Sequence, residues 1–127
     1  RYEPFSNRNR NRAKRTGDGS IYAVNLDRSH PIAWGYSDAP YHTLRSSSRR
    51  YAALESGWNV GTYGDQPEPI SGFVGSRANR DLSGSMVFGA MPMGQGSITY
   101  LVDNPLFRGF WENGKLLFDN AVFFNQY

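Results

Sequence analysis

Residues 94–124 have the sequence GQGSITYLVDNPLFRGFWENGKLLFDNAVFF, in which three structural signals follow one another. Residues 97–102 are rich in β-branched and aromatic side chains and lie between turn-forming residues, which predicts a buried strand. Residues 106–111 place several aromatic rings around one arginine, and Asn113 then offers an N-cap for a helix. The predicted helix has one mainly apolar face, formed by Leu116, Leu117, Asn120, Ala121 and Phe124.

We expect this strand, aromatic segment and helix to form the hub of the fold. Turn signals divide the preceding sequence into short segments, of which 86–93 and 97–102 predict an antiparallel hairpin closed by Gly94 and Gly96. Further strands are expected in segments 20–26, 41–44, 58–63 and 70–74.

The number of predicted helices is small compared with the number of predicted strands. Two short helices and one longer C-terminal helix are too few for every strand to be followed by a crossover. We therefore predict an α/β fold with a mixed sheet of about five or six strands, covered by few helices. The C-terminal helix is expected to pack on the sheet.

Composition excludes several classes of protein. The chain has 127 residues, of which 39% are hydrophobic and 15% aromatic, so one domain with one core is expected. The absence of cysteine excludes disulfides, thiolate nucleophiles and cysteine metal sites. No run approaches the roughly 20 apolar residues that cross a bilayer, so we predict no membrane span.

Positive charge is concentrated at the start of the chain. Residues 1–15 carry six basic side chains and one acidic one, a local charge of +5, whereas the whole chain carries +3. Residues 1–18 are therefore predicted to be a basic linker, or a helix that leads into the domain formed by residues 19–127. A nucleic-acid arm is the alternative, but aromatic interleaving is missing, and we do not expect nucleic acid as a partner.

Catalytic and metal-binding signals are weak. His30 and His42 lack the spacing of a zinc-binding histidine pair, and no glutamate accompanies them at helical spacing. We interpret His30 as a turn residue whose ring bonds to backbone, held extended by Pro31. Ser85 and Ser97 follow glycines but lack the second glycine of a nucleophile elbow. We predict no catalytic residue and no metal ligand in this chain.

The densest polar cluster follows the last predicted strand. Asp103, Asn104 and Arg108 lie where strand meets helix, a common place for ligands in α/β sheets. One hypothesis is a small-anion or carboxylate pocket built on Arg108. The alternative is that Arg108 pairs with Asp103 or caps backbone carbonyls. We interpret Asn120, on the apolar helix face, as a buried hydrogen-bonding anchor.

Several segments together resemble a known family. Residues 103–124, DNPLFRGFWENGKLLFDNAVFF, resemble the terminal segment of a group of large bacterial zinc carboxypeptidases. In that group, the metallopeptidase domain is followed by a C-terminal domain similar to class I glutamine amidotransferases. Earlier segments agree in order: residues 19–27 (GSIYAVNLD), 30–36 (HPIAWGY), 70–73 (ISGF) and the glycine pair at 94 and 96.

The resemblance implies a fold and a limited function. The family's zinc ligands and catalytic glutamate belong to the upstream domain, and no position here matches them. An active amidotransferase needs a nucleophilic cysteine, which this chain lacks. The resemblance therefore implies a flavodoxin-like, amidotransferase-like accessory domain whose first strands could be missing from this chain. His30, Pro31, Trp111 and Asn120 would be structural residues of its motifs.

The implied role is that of a non-catalytic C-terminal domain in a secreted or periplasmic bacterial zinc carboxypeptidase. The upstream catalytic domain would hold the zinc and hydrolyse peptides, and would be the partner of this chain, which itself needs no cofactor. The start at Arg1 rather than Met favours a piece of a longer protein. The role would be packing, or substrate or partner binding. The alternative is a free-standing small-anion or ligand-binding module centred on Arg108.

Overall fold

The computed structural model describes residues 4–125, which form one six-stranded sheet and three α-helices joined by turns. Short 3₁₀ turns occur at Phe5–Asn7, Pro31–Ala33, Phe107–Gly109 and Glu112–Gly114. The helices are α1 (Arg8–Ala13), α2 (Ser76–Arg80) and α3 (Lys115–Phe123). The strands are β1 (Ile21–Leu26), β2 (Tyr41–Leu44), β3 (Trp58–Thr62), β4 (Pro69–Ser71), β5 (Met86–Met93) and β6 (Gly96–Leu101).

The sheet curls around β1, which is hydrogen-bonded to three other strands. The strand order is β2-β1-β3-β5-β6, and β4 pairs with β1 as well. The first part of β1 pairs with β2, whereas Asn25 and Leu26 at its end pair with β3. The β5–β6 pairing runs from Phe88 opposite Leu101 to Met93 opposite Gly96, which confirms the predicted hairpin.

The prediction of a mixed sheet was wrong in one respect. Every strand pair in the described residues is antiparallel, although the expected six strands and few helices are present. Parallel neighbours need a crossover, usually a helix that packs on the sheet. α2 has only five residues, and no helix lies between β1 and β2 except a 3₁₀ turn. A flavodoxin-like arrangement is not confirmed.

Strands β1, β2, β3 and β5 all supply side chains to the core. Tyr22 and Val24 of β1 are buried while Ala23 and Asn25 are exposed, which is the alternation expected of a strand with one solvent-exposed face. β5 differs, because residues 86–90 are all buried. Buried side chains from other elements complete the core: Ile32, Ala33, Tyr41, Val60, Tyr63, Leu82 and Leu117.

The C-terminal helix joins the core through a narrower face than the sequence predicts. Leu117 is 0% exposed and Asn120 is buried, whereas Leu116 is 42% exposed. α3 also begins later than expected, with Gly114 as its N-cap. The side chain of Asn113 does not cap the helix; its Nδ2 donates to the carbonyl of His42 at 2.7 Å.

The basic N-terminal segment is packed against α2 through its backbone. Residues 1–3 of the predicted 1–18 segment lie outside the described residues. After α1, the carbonyl of Thr16 accepts from the amide of Gly75 at 2.8 Å, and that of Lys14 accepts from Ala78 at 3.1 Å. A side chain at Gly75 would lie 2.3 Å from the carbonyl oxygen of Ala13, so the close approach requires glycine.

Candidate functional site

Asp103 lies at the centre of a buried polar cluster. It follows β6 and is 1% exposed. Its Oδ2 accepts hydrogen bonds from Tyr63 Oη at 2.7 Å and from Thr43 Oγ1 at 3.1 Å. The cluster thereby joins the chain after β6 to β2 and to the end of β3.

Arg45 supplies the positive charge of this cluster. It is 3% exposed, and its Nη1 donates to Tyr63 Oη at 3.3 Å. Its Nη2 donates to the carbonyls of Ser47 and Arg49, both at 2.9 Å. Tyr63 Oη therefore bridges the guanidinium and the carboxylate of Asp103, and the polar loop after β2 is tied to the core.

Burial controls the acid–base behaviour of the cluster. Loss of solvation raises the pKa of Asp103 above its ordinary value, although Tyr63 and Arg45 act in the opposite direction. Burial also raises the pKa of Tyr63 and of Tyr41 well above the ordinary range for tyrosine, and the charge of Asp103 adds to both shifts. Both phenols are therefore neutral at physiological pH.

Two buried oxygen atoms in the described part of this region lack a hydrogen-bond partner. Among the described residues, neither Tyr41 Oη nor Asp103 Oδ1 has a hydrogen-bond partner. Each such atom costs about 1–3 kcal/mol of desolvation. Since the polar groups of the cluster are buried rather than open to solvent, we interpret the cluster as a set of hydrogen bonds that holds strands and loops together, and not as a reactive site.

The raised pKa of Asp103 predicts a pH dependence of stability. The carboxyl group of Asp103 binds its proton more tightly in the folded protein than in the unfolded chain, for which the reference pKa is 3.8. The protonated carboxyl therefore stabilises the fold fully only below that pH. Its contribution is lost as pH rises through the raised pKa. The loss is about 1.4 kcal/mol for each pH unit that separates the pKa of the folded protein from that of the unfolded chain.

The measurement is the free energy of unfolding of the native chain and of Asp103→Asn from about pH 4 to pH 8, by urea titration. The asparagine cannot titrate, so the difference isolates Asp103. We expect the native chain to lose stability relative to the variant as pH rises. A difference that stays constant or grows in favour of the native chain contradicts the raised pKa.

The structure does not bring the three predicted ligand residues together. Asp103 points into the core, whereas Asn104 is exposed and its Oδ1 accepts from the amide of Leu106 at 2.9 Å. Arg108 is exposed with φ of 51°, and its guanidinium carbon lies 5.2 Å from the centre of the Phe107 ring. Arg108 and Asp103 form no ion pair, and ligand binding by Asn104 or Arg108 stays a prediction.

The four motif residues lie in turns and in the C-terminal helix. His30 Nδ1 accepts from the amide of Ile32 at 3.3 Å, as expected of a turn histidine, and burial lowers its pKa, which favours the neutral ring. Pro31 begins the 3₁₀ turn, and Trp111 is half-buried. Asn120 acts as the predicted anchor, since its Nδ2 donates to the carbonyls of Ile32 at 3.1 Å and Trp34 at 2.8 Å.

Aromatic side chains are exposed beside α3. The rings of Trp34 and Phe124 lie 5.9 Å apart, and these residues are 51% and 52% exposed. A Cβ added at Gly35, next to Trp34, would lie 3.0 Å from Leu116 Cδ2, so the leucine side chain is close to this glycine. Phe123 is also exposed. We call the side chains of Trp34, Leu116, Phe123 and Phe124 the aromatic surface.

Sequence reasoning missed Arg45 as a core residue. Residues 46–50 are polar and predict a loop, and Arg45, just before them, is easily taken as part of that loop. A signal was present, because Tyr41, Thr43 and Arg45 alternate and should share one face of the strand. All three are buried.

Within residues 4–125, no group of three histidine, aspartate or glutamate side chains lies close enough to hold a metal ion. In the same part of the chain, no helix has the length and apolar content needed to cross a membrane.

Comparison with protein-family models, with curated proteins and with solved structures found no match to this chain.

Proposed function

We propose that this chain is a non-catalytic accessory domain of a larger bacterial zinc carboxypeptidase, secreted or periplasmic, in which it packs against the upstream catalytic domain. The observation that carries the packing role is the aromatic surface. Large aromatic side chains that are half exposed and adjacent to one another are typical of protein–protein contacts. In this proposal the upstream domain covers them and holds the zinc.

The aromatic surface is presented by a fixed backbone. Asn120 Nδ2 donates a hydrogen bond to the carbonyl of Trp34, and the buried side chain of Leu117 packs α3 against the core. The hydroxyl of Tyr36 donates to the carbonyl of Asn113 at 2.7 Å and accepts from the amide of Leu117 at 2.9 Å. Little ordering is therefore needed when a partner docks, which favours binding.

The proposed parent rests on the sequence resemblance. Residues 103–124 carry most of it, and the same segment forms α3 and supplies Leu116, Phe123 and Phe124 to the aromatic surface. An amidotransferase-like ancestry for the domain is part of this proposal. The antiparallel sheet does not support a flavodoxin-like fold for the domain.

The test compares two double variants of the native full-length product. Trp34→Ser with Phe124→Ser removes the two adjacent rings of the aromatic surface. Ile70→Ser with Phe73→Ser removes two apolar side chains that are at least as exposed elsewhere, at 55% and 67%. We expect the first pair to weaken domain packing by about 2 kcal/mol, in the range of interface hot spots, and the second to have little effect.

The readout is the rate at which a protease separates this domain from the rest of the product. Thermal unfolding of each variant domain alone is the control, because all four side chains are exposed and their loss should leave its stability nearly unchanged. Equal rates for the two double variants would overturn the packing role.

The second proposal, a small-anion module centred on Arg108, gains no support from geometry. Asp103, Asn104 and Arg108 are not assembled into one pocket. The arginines that do line cavities lie elsewhere in the domain.

A further inference from the structure

Two adjoining cavities lie along the side of the domain where α1 faces the loop after β2. One, of about 250 Å³, is lined in part by Arg15, Arg45 and Arg50. The other, of about 520 Å³, is lined by Arg8, Arg12 and Arg15, among others. Because Arg15 and Ser48 belong to both linings, the two cavities form one arginine groove.

The sequence pattern of the basic segment explains how α1 supplies this groove. Arg8, Arg12 and Arg15 are separated by four and three residues, so they lie on one side of α1 and the turn that follows it. Arg10 lies between them in sequence but lines neither cavity. Backbone hydrogen bonds from the amides at the start of α2 to the carbonyls of Lys14 and Thr16 hold this row of arginines against the domain.

Among residues 4–125, no ion pair balances the positive charge of the groove. Its lining contains two carboxylates, Asp18 and Asp81, against the five arginines. Among the described residues, none of these arginines has a carboxylate oxygen within 4.0 Å. Arg50 instead donates to the backbone carbonyl of Asp81 at 3.2 Å.

One arginine of the groove is fixed before any ligand arrives. Arg45 is nearly fully buried and is held by Tyr63 and two loop carbonyls, so its side chain needs no further ordering. Part of its charge is offset by the nearby Asp103. The exposed Arg8, Arg12 and Arg15 therefore supply most of the charge available to a ligand.

The lining also indicates which anion would fit. Guanidinium groups bind phosphate oxygens in bidentate fashion, and a row of them along a groove matches several phosphates in a chain. The hydroxyls of Ser48 and Thr16 add polar groups, and Val74, Ala78 and Leu82 complete the smaller cavity. None of the described lining residues is aromatic, so a base-stacking platform for nucleic acid is missing there.

We infer that the arginine groove binds a small compound with several linked phosphate groups, recognised by charge and not by a base. The site is separate from the aromatic surface, and the inference does not depend on the proposed parent enzyme.

The test is calorimetric titration of the full chain with inorganic triphosphate at low and physiological salt. Arg12→Gln with Arg15→Gln removes two groove charges at exposed positions. Arg10→Gln with Arg77→Gln removes the same charge from exposed arginines outside the groove and is the matched control. We expect the groove variant to bind at least about tenfold more weakly and the control to change less than about twofold.

Circular dichroism of both variants shows whether each is folded, and all four positions are exposed. Three results would overturn the inference. The first is no triphosphate binding by the native chain. The second is an equal loss of binding in both variants, which would mean that diffuse charge is responsible. The third is tighter binding of a single-stranded oligonucleotide than of triphosphate, with a steep salt dependence, which would make the groove a nucleic-acid surface.

Discussion

Replacing Arg45 with methionine should lower the free energy of unfolding by about 3–5 kcal/mol, because it removes a buried positive charge that acts on Asp103 through Tyr63 and leaves buried polar groups without a partner. The variant leaves Asp103 buried with only the hydroxyls of Tyr63 and Thr43 as partners. It also leaves the carbonyls of Ser47 and Arg49 without their donor. Urea titration at neutral pH measures the loss.

The neighbouring arginine provides the control. The side chain of Arg49 is exposed, and only its backbone carbonyl takes part in the cluster, so Arg49→Met should change stability by less than about 0.5 kcal/mol. Adding Asp103→Asn to Arg45→Met should restore part of the loss, because the uncompensated charge is then gone. If Arg45→Met costs no more than Arg49→Met, the cluster does not lock the strands and loops together.

Replacing Leu117 with alanine should destabilise the protein by about 3 kcal/mol, within the range for a fully buried leucine. Leu117 is 0% exposed and joins α3 to the core side chains of the sheet. Its neighbour Leu116 is 42% exposed, so Leu116→Ala should cost less than about 1 kcal/mol. The two variants delete the same atoms from adjacent residues of one helix.

Thermal or urea unfolding of the two leucine variants measures the difference directly. A similar loss in both would mean that α3 buries the broader face predicted from the sequence. A small loss in both would mean that the helix is not anchored through Leu117.

Local patterns predicted the local elements of this fold. The glycines at 94 and 96, between two runs of β-forming residues, predicted the β5–β6 hairpin correctly. The helical spacing of apolar residues predicted α3 but not its buried face. Periodicity identifies an apolar stripe, whereas the partner, here the turn at Pro31–Ala33, decides which part of the stripe is covered.

Local sequence patterns do not predict contacts between residues that are distant along the chain. The sequence suggests Arg108, five residues away, as the partner of Asp103, but the hydrogen-bond partners of Asp103 are Thr43 and Tyr63, which lie 60 and 40 residues away. Strand direction also depends on which strands become neighbours, which no single segment specifies, although alternation such as that of β1 favours an antiparallel sheet. The arginine spacing of α1 was visible, but the loop and helix that complete the groove come from later parts of the chain.

Intact mass of the native gene product in its source cell, with peptide mapping upstream of Arg1, tests the proposed function most directly. We predict a product several times heavier than the 14.3 kDa of this chain, with a His-x-x-Glu zinc motif in the upstream part. A native product that begins close to Arg1 would contradict the proposal, since no catalytic domain would then be present for the aromatic surface to pack against.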